Sequence, residues 1–228
     1  MTGLRRSSIF NLRFSISTAL LIFFLLHSTA ANSAAQAGYT VKWVTDGDTI
    51  VLSTGQRIRY IGINAPEIDH EGQKAQPFAY EARSFNKDLV MSQEIILRFD
   101  AERYDQYGRT LAYIFRQDGE FVNARLVQEG YAFCLYRPPN VFYDKILLLA
   151  QRAAMTSKAG LWRHWQEEKK RYIGNQISRR FHLPTCPLVQ KIKSTHRITF
   201  SSKWDAFQAG YAPAKTCINT FWSYAGGD

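Results

Sequence analysis

Three short segments of the chain carry residue types that suit chemistry on a phosphate group. They are "DGDT" at 46–49, "RYIGINAPE" at 59–67 and "DQYGR" at 105–109. Together they supply two carboxylates, Asp48 and Glu67, and two arginines, Arg59 and Arg109. Cleaving a phosphodiester bond needs a base for the attacking water, oxygen ligands for a hard metal ion, and cations for the charge that builds on the phosphoryl oxygens. The set therefore predicts a phosphodiesterase site.

Each segment also has a purely structural interpretation when it is taken alone. Asp-Gly is a common turn, Pro-Glu is a common exit from a strand, and Tyr-Gly-Arg suits a hairpin with a surface arginine. The functional interpretation therefore depends on a fold that brings the three segments together.

The pattern between residues 39 and 116 predicts a small barrel. Five segments of five to seven residues alternate in polarity or are rich in β-branched residues, and Gly-containing turns separate most of them. These segments are "YTVKWVT", "TIVLS", "RIRYIGI", "EIILRFD" and "TLAYIFR". Because five short strands suit a closed barrel, its strand ends are expected to gather the three segments.

Three helices are predicted from apolar residues spaced three or four apart. They cover "PFAYEARSFNKDLVM", with Pro77 in its first turn, then "VNARLVQEG", which stops at Gly130, and "VFYDKILLLAQRAAMTSKAG", which stops at Gly160. The fold class is α+β, with domain bounds of 38–165 for the barrel domain and 166–228 for a linker and a small basic domain.

In order and spacing, the three motifs resemble those of the staphylococcal nuclease (thermonuclease) family across residues 39–162. The family's "DGDT", its arginine-led segment ending in Asp, Thr or Ala, Pro and Glu, and its "D-x-Y-G-R-x-L-A" occur here as "DGDT", "RYIGINAPE" and "DQYGRTLA". The resemblance implies a five-stranded OB-fold barrel with three helices. It also implies calcium-dependent hydrolysis of DNA and RNA that leaves 3′-phosphates.

The resemblance assigns roles to individual residues. Asp48 matches a calcium-binding aspartate, and Glu67 matches the general base that activates water. Arg59 and Arg109 match the two arginines that bind the scissile phosphate and stabilise its transition state. Contacts with the nucleotide are implied for Tyr107 and Tyr136, and a loop-shaping role for Asp105.

One position departs from the family pattern. Asn64 stands where the family has a second metal-binding aspartate, and Ala65 follows at the position that lends a backbone carbonyl. Because an amide oxygen still ligates calcium, the coordination can survive with one negative charge fewer. Weaker calcium binding is expected, with activity retained.

The C-terminal segment resembles a small zinc-binding module of the alkylated-DNA repair methyltransferase type. His182, Cys186 and Cys217 match that module, but Ala214 replaces one of its cysteines, so the set is one ligand short of a tetrahedral zinc site. Three interpretations stay open: a disulfide between Cys186 and Cys217, a degenerate zinc site completed by His196 or another group, and two unrelated thiols.

Charge is distributed unevenly along the chain. Residues 38–165 carry 16 Lys and Arg against 15 Asp and Glu, whereas residues 166–228 carry 10 against 4. A basic segment suits a polyanion such as nucleic acid, although it also serves simply as a solvated tail. The residues offered for nucleic acid are Arg179, Arg180, Lys191, Lys193 and Trp204.

The N-terminal residues 1–37 have the pattern of a secretory signal. Arginines precede the apolar run "ISTALLIFFLL", and small residues follow it, with a cleavage site predicted near Ala37. The expected product is a secreted or periplasmic enzyme, monomeric and without a stable membrane partner, that acts on DNA and RNA. The alternative is a non-catalytic OB-fold module that binds nucleic acid.

Overall fold

The computed structural model describes residues 38–69, 72–166 and 169–218 of the chain. The predicted signal at 1–37 lies outside the described residues. Within those ranges, no helix is both long enough and apolar enough to cross a membrane.

Five strands close into a barrel, which confirms the predicted fold class. The barrel strands are β1 Tyr39–Asp46, β2 Thr49–Leu52, β3 Arg57–Tyr60, β5 Glu94–Arg98 and β6 Thr110–Arg116, bonded in the order β1, β2, β3, β6, β5. A short antiparallel pair joins β4 Ile63–Asn64 to β7 Phe133–Cys134. The barrel interior is filled by fully buried aliphatic side chains, among them Ile50, Leu52, Ile58, Ile95 and Ile114.

The pairing of β3 with both its neighbours gathers the three motif segments. β2 runs antiparallel to β3 and sets Thr49 opposite Arg59. β6 runs parallel to β3 and sets Leu111 beside Arg59. Thr49 of the "DGDT" turn and Leu111, two residues after Arg109, therefore flank Arg59 from the two neighbouring strands.

The three predicted helices are present, with corrected ends. They are α1 Ala79–Val90, α2 Val122–Gln128 and α3 Asp144–Ser157. Pro77 lies before α1 and not in its first turn, because Phe78 adopts a left-handed backbone with φ 65°. α3 ends three residues before Gly160, with Lys158 in the left-handed conformation at φ 54°. Gly160 instead packs closely against Gly130. A Cβ added to Gly130 would lie 2.2 Å from the carbonyl oxygen of Ala159.

The C-terminal segment forms a second sheet. Its strands are β8 Tyr172–Asn175, β9 Arg180–His182, β10 Arg197–Phe200 and β11 Ala212–Pro213, in the order β10, β8, β9, β11. Helix α4 Lys203–Gln208 lies between β10 and β11 in the chain. A second apolar core, built around Trp162, Phe181 and Phe207, includes Phe133, Ala154 and Met155 from the β7 and α3 region. The second sheet is therefore packed onto α3.

Gln151 of α3 ties the two parts together through buried hydrogen bonds. Its Oε1 accepts from the backbone N–H of Cys134 at 2.6 Å, and its Nε2 donates to the carbonyl of Phe207 at 2.6 Å. The residue is fully buried. Each unsatisfied buried backbone group costs about 1–3 kcal/mol, so this side chain is a specific link between α3, β7 and α4.

We expect Gln151→Met to lower the free energy of unfolding by about 2–5 kcal/mol, because it leaves one N–H and one C=O buried without a partner. Urea denaturation followed by circular dichroism measures the change. Leu149→Met, at an exposed position on the same helix, serves as the control and should stay within about 0.5 kcal/mol of the unmodified chain. Equal stability of both variants would contradict the role of Gln151.

Candidate active site

Asp48 and Asn64 converge on one nitrogen of Arg59. Arg59 Nη2 lies 2.9 Å from Asp48 Oδ2 and donates to Asn64 Oδ1 at 3.1 Å. Its Nη1 donates to the carbonyls of Tyr60 at 2.6 Å and Ile63 at 2.9 Å. Because Arg59 is only 12% exposed, its guanidinium is held in one orientation. The two oxygens thus already share a single cationic partner.

The backbone around Ala65 closes this cluster. Its N–H donates to Asp48 Oδ2 at 2.7 Å, and its carbonyl accepts from Asn64 Nδ2 at 3.0 Å. A Cβ added to Gly47 would lie only 2.5 Å from Ala65 Cβ and 2.8 Å from Ala82 Cβ. The glycine of "DGDT" therefore permits the close approach that brings Asp48, Asn64 and Ala65 together.

Asp46 belongs to the same acidic cluster and was not assigned a role from the sequence. Its Oδ1 accepts from the backbone N–H of Asp48 at 2.9 Å. Burial, followed by repulsion from Asp48, raises the pKa of Asp46 to about 7. Its place in "DGDT", two residues before Asp48, was the signal that could have identified it. This concentration of carboxylates favours a bound cation.

Glu67 lies at the edge of the site and contacts a residue from the second sheet region. Its backbone N–H donates to Gln76 Oε1 at 3.1 Å, and its carbonyl accepts from the backbone N–H of Gln76 at 2.9 Å. Its Oε1 lies 3.1 Å from Lys215 Nζ, and the Glu67 side chain is 42% exposed. The backbone of Glu67 is thus fixed while its carboxylate faces solvent, where it can accept a proton from water.

Arg109 is positioned by Asp105. Both Nε and Nη2 of Arg109 lie 2.7 Å from Asp105 Oδ2, and the backbone N–H groups of Arg109 and Tyr107 donate to Oδ1. Burial by itself raises the pKa of Asp105, but the hydrogen bonds from Arg109 and Tyr107 outweigh it and lower that pKa. Asp105 thus stays ionised and orders the loop. Tyr107 is 73% exposed, and its ring lies 5.5 Å from Arg109 Cζ.

A groove of about 1130 Å³ contains most of the predicted catalytic and metal-binding residues. Its lining includes the following residues of the three motifs: Asp46, Asp48, Arg59, Asn64, Glu67, Asp105, Tyr107 and Arg109. Ala65 and Tyr136 are not among its lining residues. The ring of Tyr136 instead lies 4.2 Å from the Arg179 guanidinium carbon.

Comparison of the sequence with known proteins identifies the family of the chain. Residues 57–164 match the model of the staphylococcal nuclease homologues. The thermonuclease of Staphylococcus intermedius is 37% identical over 127 residues, which cover 54% of this chain and 75% of that protein. The chain belongs to the staphylococcal nuclease family. Two further relatives are the thermonuclease of Staphylococcus hyicus, 34% identical over 59% of this chain and 81% of its own, and endonuclease YncB of Bacillus subtilis, 33% identical over 64% and 68%.

Membership of this family makes the chain a nuclease and sets aside the non-catalytic binding module. The matched residues 57–164 contain Arg59, Asn64, Glu67 and Arg109. They end before the second sheet, so the sheet strands β8 to β11 are an addition to the part of this nuclease that the family model describes. The roles of the individual residues remain predictions.

The nuclease brings His182, Cys186 and Cys217 together. Their ligand atoms all lie within 4.8 Å of one another, and each Sγ lies 3.6 Å from His182 Nδ1. Both cysteines are unbonded thiols. Neither His196 nor any other described His, Cys, Asp or Glu residue belongs to this group. The disulfide and the zinc site of the methyltransferase-type module both stay predictions from the sequence.

The other residues offered for nucleic acid separate into two groups. Arg180 and Lys191 line the groove. Trp204 packs edge-on against Trp162 and Trp165, with ring centroids 6.0 and 5.6 Å apart. It therefore contributes to the second core, and its ring is not a free stacking platform. Lys193 is exposed but is not among the groove-lining residues.

Proposed function

We propose that this nuclease is an exported, calcium-dependent endonuclease that hydrolyses phosphodiester bonds of DNA and RNA. The observation that supports it best is the convergence of Asp48 Oδ2 and Asn64 Oδ1 on one cationic nitrogen, 2.9 and 3.1 Å away, at the edge of a groove that also holds Glu67 and Arg109. Export is inferred from residues 1–37, and the product is a secreted or periplasmic monomer.

The donors present suit calcium. Asp48 offers a carboxylate, Asn64 an amide oxygen and Ala65 a backbone carbonyl, and all are hard oxygen ligands of the kind that Ca²⁺ takes. The carboxyl group of Asp46 lies beside them, with its Oδ1 accepting from the backbone N–H of Asp48. Bound calcium would supply positive charge beside the phosphate and offset the negative charge of the attacked group.

The side chains of the nuclease supply the proton transfer and the phosphate binding. Glu67 takes a proton from the water that attacks phosphorus, and its exposed carboxylate is accessible to that water. Arg59 and Arg109 donate hydrogen bonds to the phosphoryl oxygens as their charge grows, and the P–O5′ bond breaks while the leaving 5′ oxygen takes a proton from solvent water. Asp48 and Asn64 would hold the calcium through the same oxygens that contact Arg59 Nη2, and the Nη2 hydrogens would then be free to bind the phosphate. Asp105 acts through Arg109 by fixing its guanidinium.

The proposal is tested by incubating the mature chain with single-stranded DNA and with RNA, in calcium or in a calcium chelator. We expect cleavage of both with calcium and loss of cleavage in chelator, with 3′-phosphate ends identified by mass spectrometry. Equal cleavage with and without calcium would overturn the metal requirement. Secretion of the full-length chain, with loss of residues 1–37, tests the export step.

Asn64→Asp is expected to lower the calcium concentration that gives half-maximal activity. The change adds one negative charge to the ligand set and removes the Nδ2 hydrogen bond to the Ala65 carbonyl, which leaves that oxygen available. Calcium titration of the initial cleavage rate measures the effect. Gln56→Glu adds the same charge on the exposed turn between β2 and β3 and should not shift the midpoint. An unchanged midpoint in Asn64→Asp would mean that Asn64 is not a ligand.

A further inference from the structure

The groove has a strongly basic lining, and part of it comes from the C-terminal segment. Its described lining residues include seven Lys and Arg against four Asp and Glu. Three of those seven cations belong to the second sheet region: Arg180, Lys191 and Lys215. The catalytic motifs of the barrel and these cations therefore line one continuous groove.

Strand pairing places the segment that leads to Lys215 beside Arg180. β11 runs parallel to β9, with Ala212 opposite Arg180 and Pro213 opposite Phe181. Lys215 follows two residues after β11 and reaches Glu67, with Nζ 3.1 Å from Oε1, although 148 residues separate them in the chain. The Lys215 side chain is 74% exposed, so this ion pair is weak and its ammonium can turn to another anion.

Backbone carbonyls fix the guanidinium of Arg180, which has no acidic partner among the described residues. Its Nη2 donates to the Tyr136 carbonyl at 3.1 Å, and its Nη1 donates to the Ser178 carbonyl at 3.0 Å. Among the described residues it forms no ion pair with a carboxylate. Burial, and then the nearby charge of Arg137, lowers the pKa of Arg180. An anion bound at this position would relieve the repulsion between the two guanidinium groups.

The size of the groove fits more than one nucleotide. Its volume of about 1130 Å³ exceeds the range of about 300–1,000 Å³ that is usual for a pocket holding one small ligand. A strand centred on the scissile phosphate at Arg59 and Arg109 would extend past them along the groove. The phosphates of that strand then meet cations that the barrel itself does not supply.

We propose that Arg180, Lys191 and Lys215 form a second wall of the groove, which binds the phosphates of a single nucleic-acid strand beyond the scissile one. This assignment rests on the proposed nuclease function and adds the C-terminal sheet to its substrate site. Arg180 is the fixed contact, because backbone carbonyls orient it. Lys215 is the adaptable contact, because it exchanges the carboxylate of Glu67 for a phosphate.

The first test is the salt dependence of binding. A single-stranded DNA of about 12 nucleotides, within the range that one OB-fold covers, is titrated in chelator at several salt concentrations. Each lost phosphate contact should reduce the slope of log K against log salt by about 0.7 for a single strand. We expect this loss in Arg180→Gln and in Lys215→Gln, and about twice that loss in the double variant. Lys42→Gln, exposed on β1 and outside the groove lining, should leave the slope unchanged.

The second test separates strand binding from chemistry. The same variants are assayed in calcium with the long strand and with a dinucleotide that has one phosphodiester bond. We expect KM to rise for the long strand and to rise far less for the dinucleotide, because the dinucleotide has no phosphate beyond the scissile one. Lys215→Arg, which keeps the charge, should restore KM. If Arg180→Gln fails to fold, the exposed Lys215 position carries the test alone.

Several outcomes would overturn the second wall. Unchanged slopes, or the same loss in Lys42→Gln, would show no local phosphate contact. Equal rises of KM on the dinucleotide and the long strand would place these cations at the scissile phosphate. Faster dinucleotide cleavage by Lys215→Gln would mean that Lys215 restrains Glu67 and does not bind a phosphate. If the unmodified chain cleaves neither substrate, the nuclease mechanism fails, and the binding slopes then decide the second wall by themselves.

Discussion

Glu67→Gln is expected to lower kcat by about 10²- to 10⁴-fold, the range that a positioned general base contributes. Glutamine is nearly isosteric with glutamate, but its amide cannot accept the proton of the attacking water. The substrate should still bind, because Arg59 and Arg109 are unchanged. The measurement is the cleavage rate of single-stranded DNA at saturating calcium, together with the affinity for the same DNA in chelator.

Stability should be almost unaffected by Glu67→Gln, which separates a loss of chemistry from a loss of fold. The hydrogen bonds that fix this position, between the backbone of Glu67 and Gln76, do not use the carboxylate. The lost partner is the exposed Lys215, and exposed ion pairs contribute about 0–1 kcal/mol. Glu81→Gln, an exposed residue in the first turn of α1 outside the groove lining, is the matched control. Activity of Glu67→Gln within a few-fold of the unmodified chain would refute the general-base assignment.

Arg109→Lys is expected to lower kcat by about 10²- to 10³-fold, the scale measured for removing a donor that stabilises a developing oxyanion. Lysine keeps the charge but loses the planar fork that grips two phosphate oxygens. The shape of the loop should persist, because the backbone N–H groups of Tyr107 and Arg109 still donate to Asp105 Oδ1. The loss should therefore appear in kcat with little change in the thermal midpoint.

The control for this change is Arg125→Lys on α2. Arg125 is 43% exposed, pairs with Glu120 and Glu129, and lies outside the groove lining. Both variants replace arginine by lysine, but only Arg109→Lys is expected to lower kcat. If Arg109→Lys kept full kcat, the guanidinium would not be needed in the transition state, and charge alone at this position would be sufficient.

Much of the fold and of the catalytic set could be predicted from the sequence, because both depend on local patterns. Alternating strands and Gly turns indicate the five strands and the antiparallel pairing of β1, β2 and β3, whereas closure of the barrel also pairs β3 with β6 and β1 with β5. The motif positions lie in or next to β2, β3 and β6, so the pairing of both neighbours with β3 brings Asp48 and Arg109 within two residues of the positions that flank Arg59. Helix ends were less predictable, since the left-handed backbone of Phe78 has no sequence signal.

The sequence by itself determined the barrel, its three helices and the motif residues that gather around Arg59. Only the tertiary structure decided that Lys215 lies beside Glu67 and that Arg180 is anchored on the Tyr136 carbonyl. The physical reason is that these contacts join segments far apart in the chain, and their geometry depends on how the second sheet packs against α3. Residue patterns indicate local secondary structure, whereas the tertiary packing determines which distant group a charged side chain contacts.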